Sequence, residues 1–316
     1  MAILKHAFNG RWLRRAWLDN VTGWVGDVPV HTPGIPLLGF AGVFSAQHGW
    51  AFAGGVFDSD AAALNATVHS LLKYCRSEHM PYGFQYICGP LENPGQSGGS
   101  SHRRHLQFSD APGMWPAVNY PMILGLVAVN RTRLAWEEFE RNTLHWQANV
   151  SPGIWIGLWT SADSVNADGL PSDWTNDFPA FCMHRHAWPL LTFRQMAGLS
   201  FTATGLIVRP ALPRSLGSYG WTSSLASVAW DGNNTWSGHY MPSTAGSWTL
   251  LVDMRHALPE GAQLDVSVWL AGATRFNTST VVVGSSVNGA GPLEVVSPHA
   301  TSTDGIQFAI VADETA

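Results

Sequence analysis

The sequence predicts a fold that is mainly helical in its first part and β in its second. Up to about Leu199, apolar residues recur at helical spacing between long connections rich in Gly, Pro and Trp. After Phe201 the chain changes to short β-branched runs separated by turn residues. The change falls near residues 200–215, so residues 1–204 are assigned to a helical domain and residues 205–316 to a β-domain.

Four of the helices predicted in the first part can be given bounds, and three of these carry a local end signal. The segment Asp58–Asp60 can cap the first helix, Pro121 falls in the first turn of the second, and Gly198 ends the fourth. The predicted helices cover residues 61–78, 119–129, 131–149 and 186–198. The third helix carries charged residues that predict a solvent-facing side, namely Glu137, Glu138, Glu140 and Arg141.

Six strands are predicted in the second part, where Gly, Asn, Pro and Ser clusters separate β-branched runs. Such a succession of short strands is typical of an antiparallel β-sandwich. The predicted strands cover residues 224–230, 247–254, 263–270, 279–283, 293–296 and 306–311.

Composition excludes several classes of function. Only 12% of residues are charged and the net charge is −5, so the chain offers no basic surface for nucleic acid. The apolar stretch Met122–Val129 is too short to span a bilayer, and the N-terminus shows no signal peptide, which leaves the compartment open. The three cysteines form no CxxC pair and are predicted to be buried thiols, so neither a metal site nor a disulfide framework is expected. No cofactor is expected either, because the sequence has no P-loop and no GxGxxG motif between a strand and a helix.

Tryptophan is the strongest compositional signal, with 16 residues in 316. Many of these stand next to Gly, Pro, Asn or Asp rather than inside apolar runs. An indole has an apolar face and a polar N–H edge, which suits it to surfaces that are partly apolar and partly hydroxylated. Sugars present such a surface, although the same residues could fill space between helices.

The long connection at residues 151–183 concentrates the residues that could carry chemistry. It contains the candidate carboxylates Asp163 and Asp177, and His184 and His186 follow it. Trp residues are interleaved with them, at Trp155, Trp159 and Trp174. A glycosidase needs one carboxylic acid, one carboxylate and aromatic rings that position the sugar. The alternative is that the aspartates cap turns. A metal site at the two histidines has no third ligand at a recognisable spacing.

Several segments in a fixed order resemble the second half of a catalytic (α/α)6 barrel. The family is that of the family 94 glycoside hydrolases and phosphorylases and their family-36-type relatives. Within the second of these segments, Gln47, Trp50, Gly54 and Gly55 match the family's run. The matching segments are Ala7–Trp17, Ser45–Gly55, Gly113–Asn119, Leu134–Phe139, Met183–Pro189 and Gly205–Pro213.

The resemblance implies a barrel followed by a β-domain, and an inverting enzyme that acts on β-linked glucan or oligosaccharide. The family's phosphate-binding threonine run is replaced here by Met183–Trp188, so hydrolysis is favoured over phosphorolysis. Asp163, then Asp177, are the expected catalytic carboxylates, and Asp27 is a weaker candidate. The expected sugar-binding residues are Gln47, Trp50, Trp155, Trp159, Trp174, His184 and His186.

The family's general acid lies upstream of the matched segments, in a region that this sequence lacks. An (α/α)6 barrel needs about twelve helices, and the sequence predicts about five, so we expect Met1 to be internal to a longer enzyme. The upstream half of the barrel, in the same or another chain, is then an expected partner besides the sugar. The alternatives are a phosphate-dependent phosphorylase, a non-catalytic carbohydrate-binding chain and a structural subunit that completes another chain's barrel.

Overall fold

The computed structural model describes residues 2–8, 10–13, 23–25, 28–30, 43–76, 81–85, 87–88, 114–150, 152, 184–259, 261–271, 277–282, 293–300 and 305–313. The chain divides into two compact units, Met1–Pro189 and Leu190–Ala316. The first unit is built mainly from helices and the second mainly from strands, which agrees with the predicted change from α to β. A closed barrel is not seen in the described residues.

The helical elements follow one another with short β pieces between them. In chain order they are α1 (Ala2–Ala7), β1 (Gly23–Val25), β2 (Val28–Val30), β3 (Val43–Phe44), α2 (Ser45–Ala53), α3 (Ala61–Ser70), β4 (Ile87–Cys88), α4 (Pro116–Ala128), α5 (Thr132–Arg141), α6 (Leu144–Val150) and α7 (His184–Met196). A π-helical turn, Leu71–Cys75, continues α3. β1 pairs with β2, and β3 pairs with β4, both antiparallel.

Local signals account for several helix ends. The Asp60 side chain accepts a hydrogen bond from the Ala63 N–H at 2.9 Å, which confirms the predicted N-cap of α3. Gly198 has a φ of +101° just after α7, as a helix-terminating glycine requires. Pro121 lies inside α4 rather than in its first turn, because that helix begins five residues earlier at Pro116.

Cys75 departs from the expectation of a buried thiol. The residue is fully buried, but it is disulfide-bonded, and its partner lies outside the described side chains. Spacing alone gave no sign of this pairing.

The core of the helical unit lies between α2, α4 and α5. Apolar side chains from these helices and from the turns around them are fully buried there. They include Phe52, Phe57, Leu71, Tyr120, Met122, Ile123, Leu126 and Ala135. α2 and α4 approach closely because glycines face each other, and a methyl added at Gly49 would lie 2.6 Å from the Met122 Cα.

The second unit contains two sheets. Its strands are β5 (Leu199–Thr202), β6 (Gly205–Val208), β7 (Tyr219–Thr222), β8 (Ala226–Trp230), β9 (Thr235–Tyr240), β10 (Gly246–Val252), β11 (Gln263–Leu270), β12 (Asn277–Val282), β13 (Leu293–Ala300) and β14 (Ile306–Asp313). One sheet has the order β13-β10-β6-β5, and the other has the order β12-β11-β14-β9-β8-β7. β11 and β12 contact β13 of the opposite sheet, as expected for a sandwich.

The strands bury alternate residues, and all described pairings but one are antiparallel. On β14, Ile306, Phe308 and Ile310 are buried while the residues between them are partly exposed. The exception is the parallel pairing of β6 with β10, in which Leu206 lies opposite Leu250. The predicted antiparallel sandwich therefore requires this one correction.

Candidate functional site

Most of the sequence-predicted site residues lie outside the described part of the chain. These are Asp27, Trp155, Trp159, Asp163, Trp174 and Asp177. His184 and His186 lie in the first turn of α7, but their side chains are also outside the described set. Gln47 and Trp50 are the two predicted residues whose side chains are described, and both belong to α2.

Helix α2 lies in one of the segments of the sequence resemblance, Ser45–Gly55, and is hydrogen-bonded to another, the segment that contains Leu13. The Leu13 N–H donates to His48 Nε2 at 3.1 Å, and Gln47 Nε2 donates to the Leu13 carbonyl at 2.9 Å. Both the N–H and the carbonyl of Leu13 are thus hydrogen-bonded to side chains of α2, those of His48 and Gln47. Ser70 Oγ on α3 donates to the Arg11 carbonyl at 3.0 Å and fixes the same segment from a second helix.

Gln47 is therefore already engaged in holding the backbone. Its amide nitrogen serves Leu13, so the predicted role in binding sugar hydroxyls would fall to its carbonyl oxygen. His48, which no sequence signal singled out, is fully buried and has a structural function at the same place.

Trp50 is presented to solvent on the rigid helix α2, with 64% of its surface exposed. The preceding residue, Gly49, packs against α4, and successive residues of a helix point about 100° apart. Close packing of α2 on α4 therefore directs the Trp50 indole away from that contact. Gln47 lies one turn earlier on the same side of the helix.

A second cluster of polar side chains lies in the interior of the helical unit around Glu138 on α5. This carboxylate is fully buried, and its Oε2 accepts a hydrogen bond from the Phe84 N–H at 2.8 Å. The Phe84 carbonyl in turn accepts from Asn119 Nδ2 on α4 at 2.9 Å. Gly83, with a φ of +104°, brings the backbone to this point, and a Cβ there would lie 2.8 Å from Glu138 Oε2.

Arg76 supplies the opposite charge for this carboxylate. Its Nε lies 2.9 Å from Glu138 Oε1, and its Nη1 lies 3.0 Å from Glu137 Oε2. Arg76 is largely buried, with 16% of its side chain exposed. The predicted solvent-facing side of α5 is thus wrong at Glu138, although it holds for Glu140, which is exposed.

Burial raises the pKa of Glu138 to about 7, against the lowering effects of the Arg76 charge, the Phe84 N–H and the Arg141 charge. The cluster also contains more acceptors than donors. Among the described residues, Asn119 Oδ1 and Asn142 Oδ1 accept no hydrogen bond, and Glu138 Oε1 has the Arg76 Nε at 2.9 Å without an aligned hydrogen bond, so a protonated carboxyl would supply a missing donor. A pKa near 7 suits acid–base catalysis, but a fully enclosed carboxyl cannot reach a substrate. We therefore assign Glu138 a structural role that joins residues 83–84 to α4 and α5.

Neither a membrane-spanning helix nor a metal-binding group is found among the described residues. No helix there is long and apolar enough to cross a bilayer. Within the same ranges, no three His, Cys, Asp or Glu side chains are grouped so that they could hold a metal ion.

Comparison with known proteins does not assign the chain to a family. No protein family model matches it, and no curated protein matches it. Among solved structures, it is similar to a GH127 β-L-arabinofuranosidase from Geobacillus stearothermophilus T6, with 9% identity and a TM-score of 0.31. The similarity covers 86% of this chain, which spans 42% of the length of that chain. The resemblance to family 94 finds no counterpart in these comparisons, and a TM-score of 0.31 does not establish a common fold.

Proposed function

We propose that this chain is part of a glycoside hydrolase that acts on a β-linked glucan or oligosaccharide by inversion. The observation that carries the proposal is the exposed indole of Trp50 on a helix fixed by bonds to neighbouring backbone. An apolar ring of this size is usually buried, and one held outward on a rigid element is suited to stacking on a sugar. The Trp- and Asp-rich connection 151–183 supports the same ligand class from sequence.

In the proposed mechanism, Asp163 or Asp177 holds the attacking water, and the general acid comes from the upstream half of the barrel. Inversion requires the two carboxyl groups to stand roughly 6.5–9.5 Å apart, with the water between the base and the sugar. Trp155, Trp159, Trp174 and Trp50 would form the walls of the subsites, and His184 and His186 would bond hydroxyl groups. The family 94 resemblance supports the (α/α)6 barrel and the choice of Trp50, His184 and His186, which lie in its matched segments. The concentration of Asp and Trp in the connection 151–183 supports the other residues.

Binding is tested by titrating the full chain with cellotetraose and laminaritetraose while tryptophan fluorescence is recorded. We expect Trp50→Ala to weaken binding about tenfold or more, because one stacked ring is removed. Leu190→Ala is the matched control, since that side chain is 68% exposed but belongs to no predicted subsite. Equal affinities of wild type and Trp50→Ala would remove the observation on which the proposal rests.

Turnover is tested separately in the complete enzyme. Asp163→Asn should abolish release of reducing sugar while the circular dichroism spectrum stays unchanged. The anomer of the first product, followed by NMR, distinguishes inversion from retention, and a rate that depends on added phosphate would indicate a phosphorylase instead. Sugar binding without any turnover in the complete protein would favour the non-catalytic carbohydrate-binding chain.

A further inference from the structure

Arg194, in the last turn of α7, has surroundings unlike those of most other arginines in the described part of the chain. Six arginines have an oxygen atom as partner, a carboxylate, an amide or a backbone carbonyl, namely Arg76, Arg131, Arg133, Arg209, Arg214 and Arg255. Arg194 has neither a hydrogen bond nor an ion pair within the described residues, and its Nε is shielded from solvent. Shielding a charged donor without an acceptor is costly, and no described residue offers an oxygen to this guanidinium.

Two aromatic rings hold the Arg194 guanidinium in place. Its central carbon lies 5.9 Å from the ring centre of Phe201 and 6.0 Å from that of Trp221. Both distances fall within the range of a cation–π contact. Phe201 lies on β5 and Trp221 on β7, and each of these strands forms the edge of its own sheet. The guanidinium therefore stands at the border of the sandwich, where the two sheets end.

Further aromatic rings continue from this point. The rings of Phe201 and Tyr240 have their centres 6.3 Å apart, and those of Tyr240 and Trp248 are 5.7 Å apart. Phe201 is 41% exposed, and Tyr240 and Trp248 are partly exposed. The surface at this border thus combines one cation without an oxygen partner with several amphipathic rings.

We propose that Arg194, Phe201 and Trp221 form a binding site for a sugar that carries a carboxylate, such as a uronic acid unit. Because Nε is shielded from solvent, the two Nη groups of the planar guanidinium would donate the two parallel hydrogen bonds to the carboxylate, a pairing for which arginine is better suited than lysine. The exposed ring of Phe201 would lie against the apolar face of the sugar. The choice of a sugar as carrier of the carboxylate rests on the proposed function, whereas the choice of an anionic group rests on the Arg194 guanidinium, which has no oxygen partner among the described residues.

The test is calorimetric titration of the full 316-residue chain with trigalacturonate and with its methyl ester. The ester has the same ring number and shape but no charge, so the ratio of the two Kd values isolates the carboxylate. We expect the acid to bind at least about tenfold more tightly than the ester, and the difference to shrink as salt is added. Equal Kd values for acid and ester would overturn the proposal.

Variants locate the effect. Arg194→Gln should reduce the affinity for the acid to that for the ester, and Arg194→Lys should fall between, because it keeps the charge but loses the planar fork. Arg214→Gln is the matched control, since that exposed arginine also lies over an indole, at 5.7 Å from Trp230, but donates to the Asn233 carbonyl. A Kd for the acid that Arg194→Gln leaves unchanged, with the thermal melt also unchanged, would refute the assignment.

Failure of this site can be told apart from failure of the proposed function. Trp50→Ala should leave the affinity for trigalacturonate at Arg194 unchanged, because Trp50 belongs to the helical unit. If acid and ester bind alike while Trp50→Ala still weakens cellotetraose binding, the Arg194 site is refuted and the glycosidase proposal stands. If the reverse holds, the acidic site stands and the role of Trp50 is refuted.

Discussion

Replacement of Glu138 by Gln should change how the stability of the helical unit responds to pH. Glutamine keeps the size of the side chain and an acceptor for the Phe84 N–H, but it does not titrate. Burial raises the pKa of the native carboxyl from 4.5 to about 7, so the folded chain holds its proton over a range in which the unfolded chain has lost it.

The sign follows from proton uptake. Between pH 4.5 and about 7 the folded state binds more protons at this position, so the free energy of unfolding falls as the pH rises through that window. One pKa unit corresponds to about 1.4 kcal/mol, which makes the expected loss about 3 kcal/mol. Below pH 4.5 the carboxyl is protonated in both states, so none of this stability is lost. Above about pH 7 it is ionised in both states, so the loss is complete and stays constant.

The assay is urea unfolding followed by circular dichroism at 222 nm, which reports mainly on the helices. Other groups also titrate, so the quantity of interest is the difference in unfolding free energy between wild type and Glu138→Gln. From pH 4.5 to 7.5 we expect the wild type to lose about 3 kcal/mol of unfolding free energy relative to Glu138→Gln. A difference that moves in favour of the wild type would refute the reasoning, because the charge of Arg76, 2.9 Å away, would then outweigh burial.

Three further predictions concern other places in the fold. Gly205→Ala should destabilise the β-unit by more than about 3 kcal/mol, because the added methyl would collide with the Thr249 carbonyl across the parallel pair; thermal melting of the purified variant measures it. His48→Ala should cost about 1–3 kcal/mol in urea unfolding, because the buried Leu13 N–H loses its acceptor; a change below 0.5 kcal/mol would contradict this. Asp253→Asn should lower stability at pH 7 by about 2 kcal/mol, since its two arginine partners outweigh burial and lower its pKa to about 2. That loss should vanish as the pH falls from 4 toward 2, which unfolding at each pH would reveal.

Local signals in the sequence predicted the helix ends well where one side chain decides them. Asp60 caps α3 and Gly198 ends α7, because an acceptor for a free N–H and a left-handed backbone are properties of single residues. The predicted start of α4 was wrong, because a proline can stand inside a helix and so does not show how many turns precede it.

The burial of Glu138 could have been found from spacing. Ala135, Glu138, Phe139 and Asn142 follow the i, i+3, i+4, i+7 pattern, and all four are buried. The charge of Glu138 suggested a solvated face, although the periodicity placed it inward. Its partner Arg76 lies far away in the chain, so no local pattern could indicate that the charge is compensated.

The candidate site was predictable only in part. The resemblance singled out the segments around Leu13 and Gln47, and a hydrogen bond joins these two residues. It did not show that the side-chain amide of Gln47 would donate to the Leu13 carbonyl, since that bond depends on where the segment around Leu13 lies. The Arg194 cluster was missed because its three residues come from a helix and two edge strands, with no common motif.

The parallel pair in the β-unit has a consequence for how that unit forms. β6 pairs with β10, and the chain between these two strands forms β7, β8 and β9 of the opposite sheet. The pairing of β6 is therefore complete only when β10 is present. Neither sheet can be completed from adjacent hairpins alone, so both depend on contacts between distant parts of the chain. High contact order of this kind slows folding. A chain emerging during synthesis would hold β5 and β6 as an isolated hairpin until β10 is available to pair with it.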